Sequence, residues 1–308
     1  MKFRLFFPII LICLCAGGCA DEHVSDAITI LGIELETEPV IQTSLPPIVW
    51  AALEQHADEM YSRIERDYGK ETLENFVDIK AMQREFYTRY IDADGIAIVA
   101  NSDVEDKHLI EARNAVLVMT AKHSELRESL RVEHGFYMVL VDARKVSFSL
   151  IPENQIEYLI EKTHSTQTCT TSSVTSSVGR GIRGFCFGGN MRSFVHEFGH
   201  ALNSVIVRLK PRVFRRQVAQ AYDTAKEKGI WSGNYIEKNP REYFAEGVNY
   251  WFHDIGPGRC FETREAFAEK DPLLAEILSE WFLPVTLSWY PPNSRRPDCP
   301  ILETLPSY

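Results

Sequence analysis

Residues 193–202 read SFVHEFGHAL and contain a His-Glu-x-x-His pattern. Two histidines four positions apart lie on one face of a helix, where both imidazoles can bind a single tetrahedral zinc ion. Glu197 follows the first histidine and would lie near the open coordination position, where it can take a proton from the attacking water. We therefore predict one zinc per chain, with His196 and His200 as ligands and Glu197 as the catalytic base.

The other faces of this predicted helix are apolar, which indicates a buried helix at the centre of the fold. They carry Phe194, Val195, Phe198, Ala201, Leu202 and Val205. The alternative is a chance meeting of two histidines and a glutamate on a core helix, because the bare pattern also occurs without a metal.

A zinc peptidase with two histidine ligands needs a third protein ligand. One class of these enzymes has a histidine six residues after the second histidine, and Ile206 at that position excludes this class. The remaining candidate is Glu242 in NPREYFAEG, residues 239–247, which Asn239 would cap as a helix. Glu242 and Glu246 are one helical turn apart, so one can bind zinc and the other can orient a ligand histidine. The alternative role for Glu242 is to close a capping box.

The two motifs together resemble those of the gluzincin metallopeptidases, and are most similar to the anthrax lethal factor type of catalytic domain. The resemblance covers about residues 190–255 and implies a zincin-like fold with zinc-dependent hydrolysis of peptide bonds. In that family the first glutamate of the second motif is the zinc ligand and the second lies behind the site, which maps onto Glu242 and Glu246. A tyrosine seven residues before the ligand stabilises the oxyanion, and Tyr235 has that spacing. The alternative for Tyr235 is an ordinary packing role with its hydroxyl hydrogen-bonded.

The order of helical and strand patterns predicts an α+β fold in which an N-terminal α/β layer packs on the zinc-binding helices. We predict that residues 48–165 form the α/β part and that 166–308 form the helical part with the active site. Within the first part, Val49 to Tyr90 has a helical pattern. Strands are expected at Gly95–Ala100, Phe136–Val141 and Val146–Leu150. Ile182 to Phe187 is expected to form an edge strand beside the cleft, where an extended peptide could bind.

The N-terminus has the pattern of an export signal. Within residues 1–18, basic Lys2 and Arg4 precede an apolar stretch too short to span a bilayer. Small residues before Cys19 resemble a bacterial lipobox, so we predict cleavage before Cys19, lipidation of that cysteine and attachment to a membrane. Ordinary cleavage and free secretion is the alternative. Residues 19–47 are acidic and poor in aromatic residues, which predicts a flexible tether.

Four cysteines remain after the predicted signal and lipid site, and an even number in an exported protein predicts two disulfides. They are Cys169, Cys186, Cys260 and Cys299. Pairs 169–186 and 260–299 are favoured because each closes a local loop, although four cysteines allow three pairings. A cysteine zinc site is disfavoured because the chain has no Cys-x-x-Cys pair.

The net charge of −10 disfavours nucleic acid as a partner, since nucleic-acid binding uses basic surfaces. One basic cluster after the zinc helix is either solvated or contacts a substrate or an anionic surface. It consists of Arg208, Lys210, Arg212, Arg215 and Arg216. The predicted function is that of an exported zinc metallopeptidase acting on a peptide or protein. Two alternatives stay open: an adhesion or binding lipoprotein with a structural or vestigial zinc site, and a zinc hydrolase of a non-peptide substrate.

Overall fold

A computed structural model of the chain describes residues 28–30, 33–35, 39–70, 78–141, 152, 185–186, 192–252 and 264–287. Several predictions lie outside these ranges: the signal at 1–18, the lipid site at Cys19, and the strand at Val146–Leu150. Cys169, Cys260 and Cys299 also lie outside them, and Cys186 is described by its backbone alone. The lipidation and the disulfides therefore stay predictions.

The N-terminal part of the described chain contains five strands and four α-helices. Strands β1 (Ile28–Ile30) and β2 (Ile33–Leu35) form an antiparallel pair, and helices α1 (Pro47–Tyr68) and α2 (Ile79–Phe86) follow. Next come β3 (Arg89–Ala93), β4 (Ile96–Ala100), α3 (Asp106–Met119), α4 (Ser124–Glu128), a short 3₁₀ helix (Val132–His134) and β5 (Tyr137–Val141).

The C-terminal part is helical apart from one short strand. It contains β6 (Phe185–Cys186), α5 (Arg192–Leu209), α6 (Val213–Glu227), a 3₁₀ helix (Tyr235–Glu237), α7 (Pro240–Phe252), α8 (Arg264–Lys270) and α9 (Pro272–Trp281). The predicted His-Glu-x-x-His helix is α5, and the second motif lies on α7.

A mixed sheet with the order β3-β4-β5-β6 organises the fold. Strands β3 and β4 are antiparallel, whereas β4, β5 and β6 run parallel to one another. Every residue of β4 and β5 is buried, as expected for central strands that are covered on both faces. The predicted edge strand at 182–187 is described only at its centre, where β6 pairs with β5.

The two faces of the sheet belong to two separate hydrophobic clusters, because side chains alternate along each strand. Ile96, Ile98 and Met138 face a cluster that includes α3 and the zinc-motif helices α5 and α7. Val99, Val139 and Val141 face a cluster that includes Val49 and Leu53 of α1. The sheet thus separates α1 from the helices that carry the candidate site. The molecule has the predicted α+β character, with more helix than strand.

Strand β3 corrects one sequence prediction. Tyr90 was expected at the end of a helical stretch, but it pairs with Val99 in the β3–β4 hairpin. The turn consists of Asp94 and Gly95 with φ values of 55° and 87°, and an Asp-Gly pair is a strong local signal for a two-residue hairpin turn. The Asp-Gly turn signal was thus present in the sequence. Tyr90 has the spacing of a helical residue, but its pairing with Val99 places it in a strand.

Part of the predicted tether is structured. Strands β1 and β2 lie within residues 19–47, Gln42 pairs with Tyr90 at the edge of the sheet, and Leu45 is buried against α1. The described fold therefore extends into the stretch that was expected to be flexible. Helix α6 begins at Val213, and Gly229 follows its end with a φ of 63°, a conformation that favours glycine after a helix C-terminus. None of the helices in the described ranges has the length and apolar character of a membrane span.

Candidate metal centre

Helix α5 carries the first motif into the core. The apolar faces predicted from the sequence are buried, with Phe194, Phe198 and Leu202 fully covered. His196, Glu197 and His200 are also buried, with 6–8% exposure, although polar side chains of this kind are usually exposed. Their ligand atoms lie within 4.8 Å of one another, so the group could hold a metal ion.

Helix α7 begins as the sequence predicts, with Asn239 as its cap. The Asn239 side-chain oxygen accepts hydrogen bonds from the backbone N–H groups of Arg241 (3.0 Å) and Glu242 (3.1 Å). The cap fixes the first turn of the helix, and the Glu242 carboxylate leaves this turn toward α5. Its position at the helix N-terminus also favours a negative charge. One oxygen of the carboxylate contacts both motif histidines.

Both motif histidines converge on one oxygen of Glu242. The Nε2 atom of His196 is 3.1 Å from Glu242 Oε2, and the Nε2 atom of His200 is 3.2 Å from the same oxygen. The three residues come from two helices and are 42 and 46 positions apart in the chain. The structure thus brings together the three residues predicted as metal ligands, His196, His200 and Glu242.

Glu246 lies behind His196. Its Oε1 atom is 3.2 Å from His196 Nδ1, on the opposite side of the imidazole from Glu242. A carboxylate bonded to the second ring nitrogen fixes the orientation of the ring and leaves Nε2 directed at the site. This is the arrangement expected for Glu246 from the one-turn spacing of the two glutamates.

The cluster carries a surplus of negative charge. Three carboxylates, of Glu197, Glu242 and Glu246, surround two imidazoles. Burial lowers the pKa of His196, but hydrogen bonds to Glu242 and Glu246 outweigh that effect and raise it to about 10. Burial alone would raise the pKa of Glu242, yet the hydrogen bonds to His196 and His200 hold it well below its usual range. The buried group therefore favours a positive charge at its centre.

Tyr235 is at the rim of the cluster. Its ring centre is 6.1 Å from that of His196, and the side chain is 47% exposed. Burial, followed by the charge of Glu242 and a hydrogen bond to it, raises the pKa of Tyr235 to about 12. The Tyr235 hydroxyl therefore stays protonated at neutral pH and can donate a hydrogen bond. The side chain contacts the cluster and is also accessible from solvent. Lys238, which the sequence did not single out, lies with its ammonium 5.0 Å from the centre of this ring.

Close contact between α5 and α7 depends on Gly199, whose role was not predicted. A Cβ atom at this position would be 3.3 Å from both Ala245 Cα and Val248 Cβ. The glycine thus lets the two motif helices approach closely enough for Glu242 to reach both histidines. A signal was available, because a glycine inside a helix is unfavourable by about 1 kcal/mol relative to alanine and often indicates close packing.

Asp271 supports α7 through a hydrogen bond with Tyr243. Its carboxylate accepts hydrogen bonds from Trp231 Nε1 (2.7 Å), Tyr243 Oη (2.7 Å) and the Leu274 backbone N–H (3.2 Å). Asp271 is also the N-cap residue of α9. Its second role, as the buried partner of the tyrosine beside Glu242, was not predictable from local sequence because Tyr243 is 28 residues away.

No protein-family model, curated protein or solved structure matches this chain. The functional argument therefore rests on the residues of the cluster and their geometry. The geometry brings together His196, Glu197, His200, Glu242 and Glu246, with Tyr235 at the edge, from motifs that are far apart in the chain.

Proposed function

We propose that the protein is an exported zinc metallopeptidase with a zincin-like catalytic domain. The observation that carries this proposal is the convergence of His196 Nε2 and His200 Nε2 on a single oxygen of Glu242. Two imidazole nitrogens and one carboxylate oxygen form the ligand set of a catalytic zinc site that leaves one coordination position open. The resemblance of both motifs to gluzincin peptidases supports the same assignment.

Two of the three distances between the proposed donor atoms support a tetrahedral metal site. A tetrahedral ion with ligands at about 2.1 Å separates neighbouring ligand atoms by about 3.4 Å. The two nitrogen–oxygen distances, 3.1 and 3.2 Å, are close to this value. The surplus of carboxylates gives the site a preference for a cation. When bound, zinc would supply a Lewis acid that polarises a carbonyl group and makes water a better nucleophile.

The remaining side chains have the chemistry that peptide hydrolysis requires. The Glu197 carboxylate takes a proton from the attacking water at a carboxylate oxygen and passes it to the leaving amine. The Tyr235 hydroxyl donates a hydrogen bond to the substrate carbonyl oxygen as negative charge develops there. Glu246 holds the His196 ring, and Asn239 holds the turn that carries Glu242. Each step uses a group that the fold keeps in a defined position.

Zinc analysis tests the ligand set. Purified protein should contain about one zinc per chain, and Glu242→Ala should lose most of it because two histidines alone form an incomplete site. Glu227→Ala, which removes an exposed glutamate at the end of α6, is the matched control and should keep its zinc. Equal zinc content in the parent and Glu242→Ala would move the third ligand elsewhere. Absence of zinc from the folded parent would reduce His196 and His200 to core histidines.

Hydrolysis of a broad peptide library tests the reaction. Glu197→Gln should keep its zinc and lose about 10²–10⁴-fold in kcat/KM, since it removes the general base but no ligand. Full turnover in this variant would contradict the mechanism. A parent that binds zinc tightly and cleaves no peptide would favour the alternatives, a binding lipoprotein or a hydrolase of other substrates.

A further inference from the structure

We propose that the turn between α5 and α6 binds the surface of an anionic membrane. This basic turn, residues 208–216, reads RLKPRVFRR. It begins at the C-terminal end of α5, where seven helical residues lie between His200 and Arg208, and this spacing corresponds to about 12 Å along the helix axis. The proposal is independent of the zinc site and of the predicted lipid at Cys19.

The first argument is charge. The basic turn carries five positive side chains and no acidic one, in a chain whose net charge is −10. All five are exposed. Lys210 has a structural partner, because its ammonium is 2.9 Å from Glu280 Oε1 and 4.8 Å from the ring centre of Trp281. Arg208, Arg212, Arg215 and Arg216 form no ion pair with any residue in the described ranges.

The position of these arginines is not explained by helix stability. Arg212 precedes α6, and Arg215 and Arg216 lie in its first turn, which contains no acidic residue. A helix N-terminus carries a partial positive charge, so cationic side chains there are unfavourable and acidic ones are favoured. Three arginines at this end therefore indicate an external anionic partner. Arg208 alone is placed at a helix C-terminus, where a cation is favourable.

The second argument is the exposed apolar surface between the arginines. Leu209 is 42% exposed and Val213 is 59% exposed, four positions apart across the turn. Phe214, between Val213 and Arg215, is 1% exposed, and its ring packs against Phe244 and Trp281. The buried phenylalanine anchors the turn to the core, so the two aliphatic side chains are presented outward by a rigid support.

An anionic bilayer fits this combination best. Arginine forms bidentate hydrogen bonds with phosphate, and aliphatic side chains beside the cations can enter the boundary between headgroups and acyl chains. A single-stranded nucleic acid would be expected to stack its bases on exposed aromatic rings, and Phe214, the one aromatic residue of the basic turn, is buried. Each basic residue close to an anionic leaflet strengthens binding by about fivefold, so the four arginines of the basic turn would together strengthen it several hundredfold: Arg208, Arg212, Arg215 and Arg216.

Vesicle flotation of the full chain tests the proposal. The parent should bind vesicles that contain about 30 mol % anionic lipid more strongly than neutral vesicles, and the difference should shrink as salt rises from about 0.1 M to about 1 M. Replacing Arg208, Arg212, Arg215 and Arg216 with glutamine should reduce the anionic-to-neutral binding ratio by at least about 100-fold. The N-terminal apolar segment is common to all variants, so this ratio is the diagnostic quantity.

A control with the same change in charge separates a defined surface from general electrostatics. Replacing exposed Arg66, Lys70, Lys226 and Lys228 with glutamine should leave the ratio within about fivefold of the parent. Replacing Leu209 and Val213 with serine should weaken binding to anionic vesicles by about tenfold or more at unchanged charge. Equal losses in the two glutamine variants would overturn the proposal and assign the binding to general electrostatics. No preference of the parent for anionic vesicles would also overturn it and would favour an acidic protein as the partner.

Discussion

At the scale of single residues, His196 is the centre of the candidate site. It lies between Glu242 on one side of its ring and Glu246 on the other, and Glu197 follows it directly in the helix. An imidazole between two carboxylates is fixed in orientation and made more basic, which strengthens it as a metal ligand. The second glutamate of the α7 motif therefore has a defined role without reaching the metal position.

Removing the charge of Glu246 tests that role. Glu246→Gln should weaken zinc binding by about 10–100-fold, because the neutral amide holds His196 less firmly and does not polarise it. Affinity can be measured by competition with a chromogenic chelator. Glu227→Gln on the exposed end of α6 should bind zinc as the parent does. An unchanged affinity in Glu246→Gln would assign the contact with His196 to packing.

At the scale of elements, the site depends on how α7 is held against α5 and α9. Gly199 permits the close approach of α5, and a Cβ at Gly247 would come within 2.6 Å of Leu274 on α9. Asp271 then links α7 to the start of α9 and to Trp231 through one buried carboxylate. Gly199, Gly247 and Asp271 thus allow or stabilise the close packing of α7 against its neighbouring helices.

Loss of the Asp271 carboxylate should destabilise the protein more than loss of either partner. Asp271→Ala leaves the buried Tyr243 hydroxyl and Trp231 N–H without an acceptor and removes the cap of α9, which should lower the free energy of unfolding by about 3 kcal/mol. Tyr243→Phe removes one hydrogen bond and should lower it by about 1–2 kcal/mol. Urea denaturation measures both. Equal losses in the two variants would mean that the other hydrogen bonds to Asp271 add nothing measurable.

A partly buried glutamate on α3, Glu111, predicts a pH dependence of stability. Burial raises the pKa of Glu111 to about 7; the Lys107 charge opposes this shift and the Glu105 charge adds to it. The folded protein therefore prefers neutral Glu111. This contribution to stability is complete below the unfolded pKa of 4.5 and is lost as the pH rises through about 7.

Glu111→Gln should remove that pH dependence, because glutamine stays neutral. The variant should match the parent in urea midpoint at about pH 4 and exceed it at about pH 8. Glu65→Gln, on the exposed side of α1, is the control and should follow the parent at both pH values. Parallel profiles for the parent and Glu111→Gln would contradict the raised pKa.

At the scale of the whole molecule, the sheet keeps two hydrophobic clusters apart, and the candidate site belongs to one of them. The motif helices share a cluster with α3 and one face of β4 and β5, while α1 packs on the other face. The basic turn begins at the C-terminal end of α5, eight positions after His200, and shares no residue with the candidate metal centre. The proposed catalytic and membrane-binding functions are thus separable by mutation.

Zinc should stabilise the whole fold because its ligands come from two helices that an unfolded chain does not hold together. At a free zinc concentration of about 100 times Kd, binding adds about 2.7 kcal/mol to the free energy of unfolding. Chelation should therefore lower Tm by about 5–10 °C in calorimetry. Glu242→Ala should show no such shift, and an equal shift in that variant would place the stabilising metal elsewhere.

The sequence by itself determined the local features of this protein. The period of apolar residues predicted buried α5, and Asn239 was recognised as a helix cap, because capping and periodicity depend on residues within a few positions of one another. The one-turn spacing of Glu242 and Glu246 likewise followed from helix geometry. The Asp94-Gly95 turn was equally local, yet β3 was missed because Tyr90 also fitted a helical period.

Only the tertiary structure decided which distant groups meet. The 3.1 and 3.2 Å contacts of Glu242 with two histidines more than 40 residues away, the junction of Tyr243 with Asp271, and the pairing of Gln42 with Tyr90 all depend on packing between elements. Gly199 shows the same division. The glycine itself can be read from the sequence. Only the tertiary structure shows which neighbour requires it, because a Cβ at this position would be 3.3 Å from Ala245 Cα on α7.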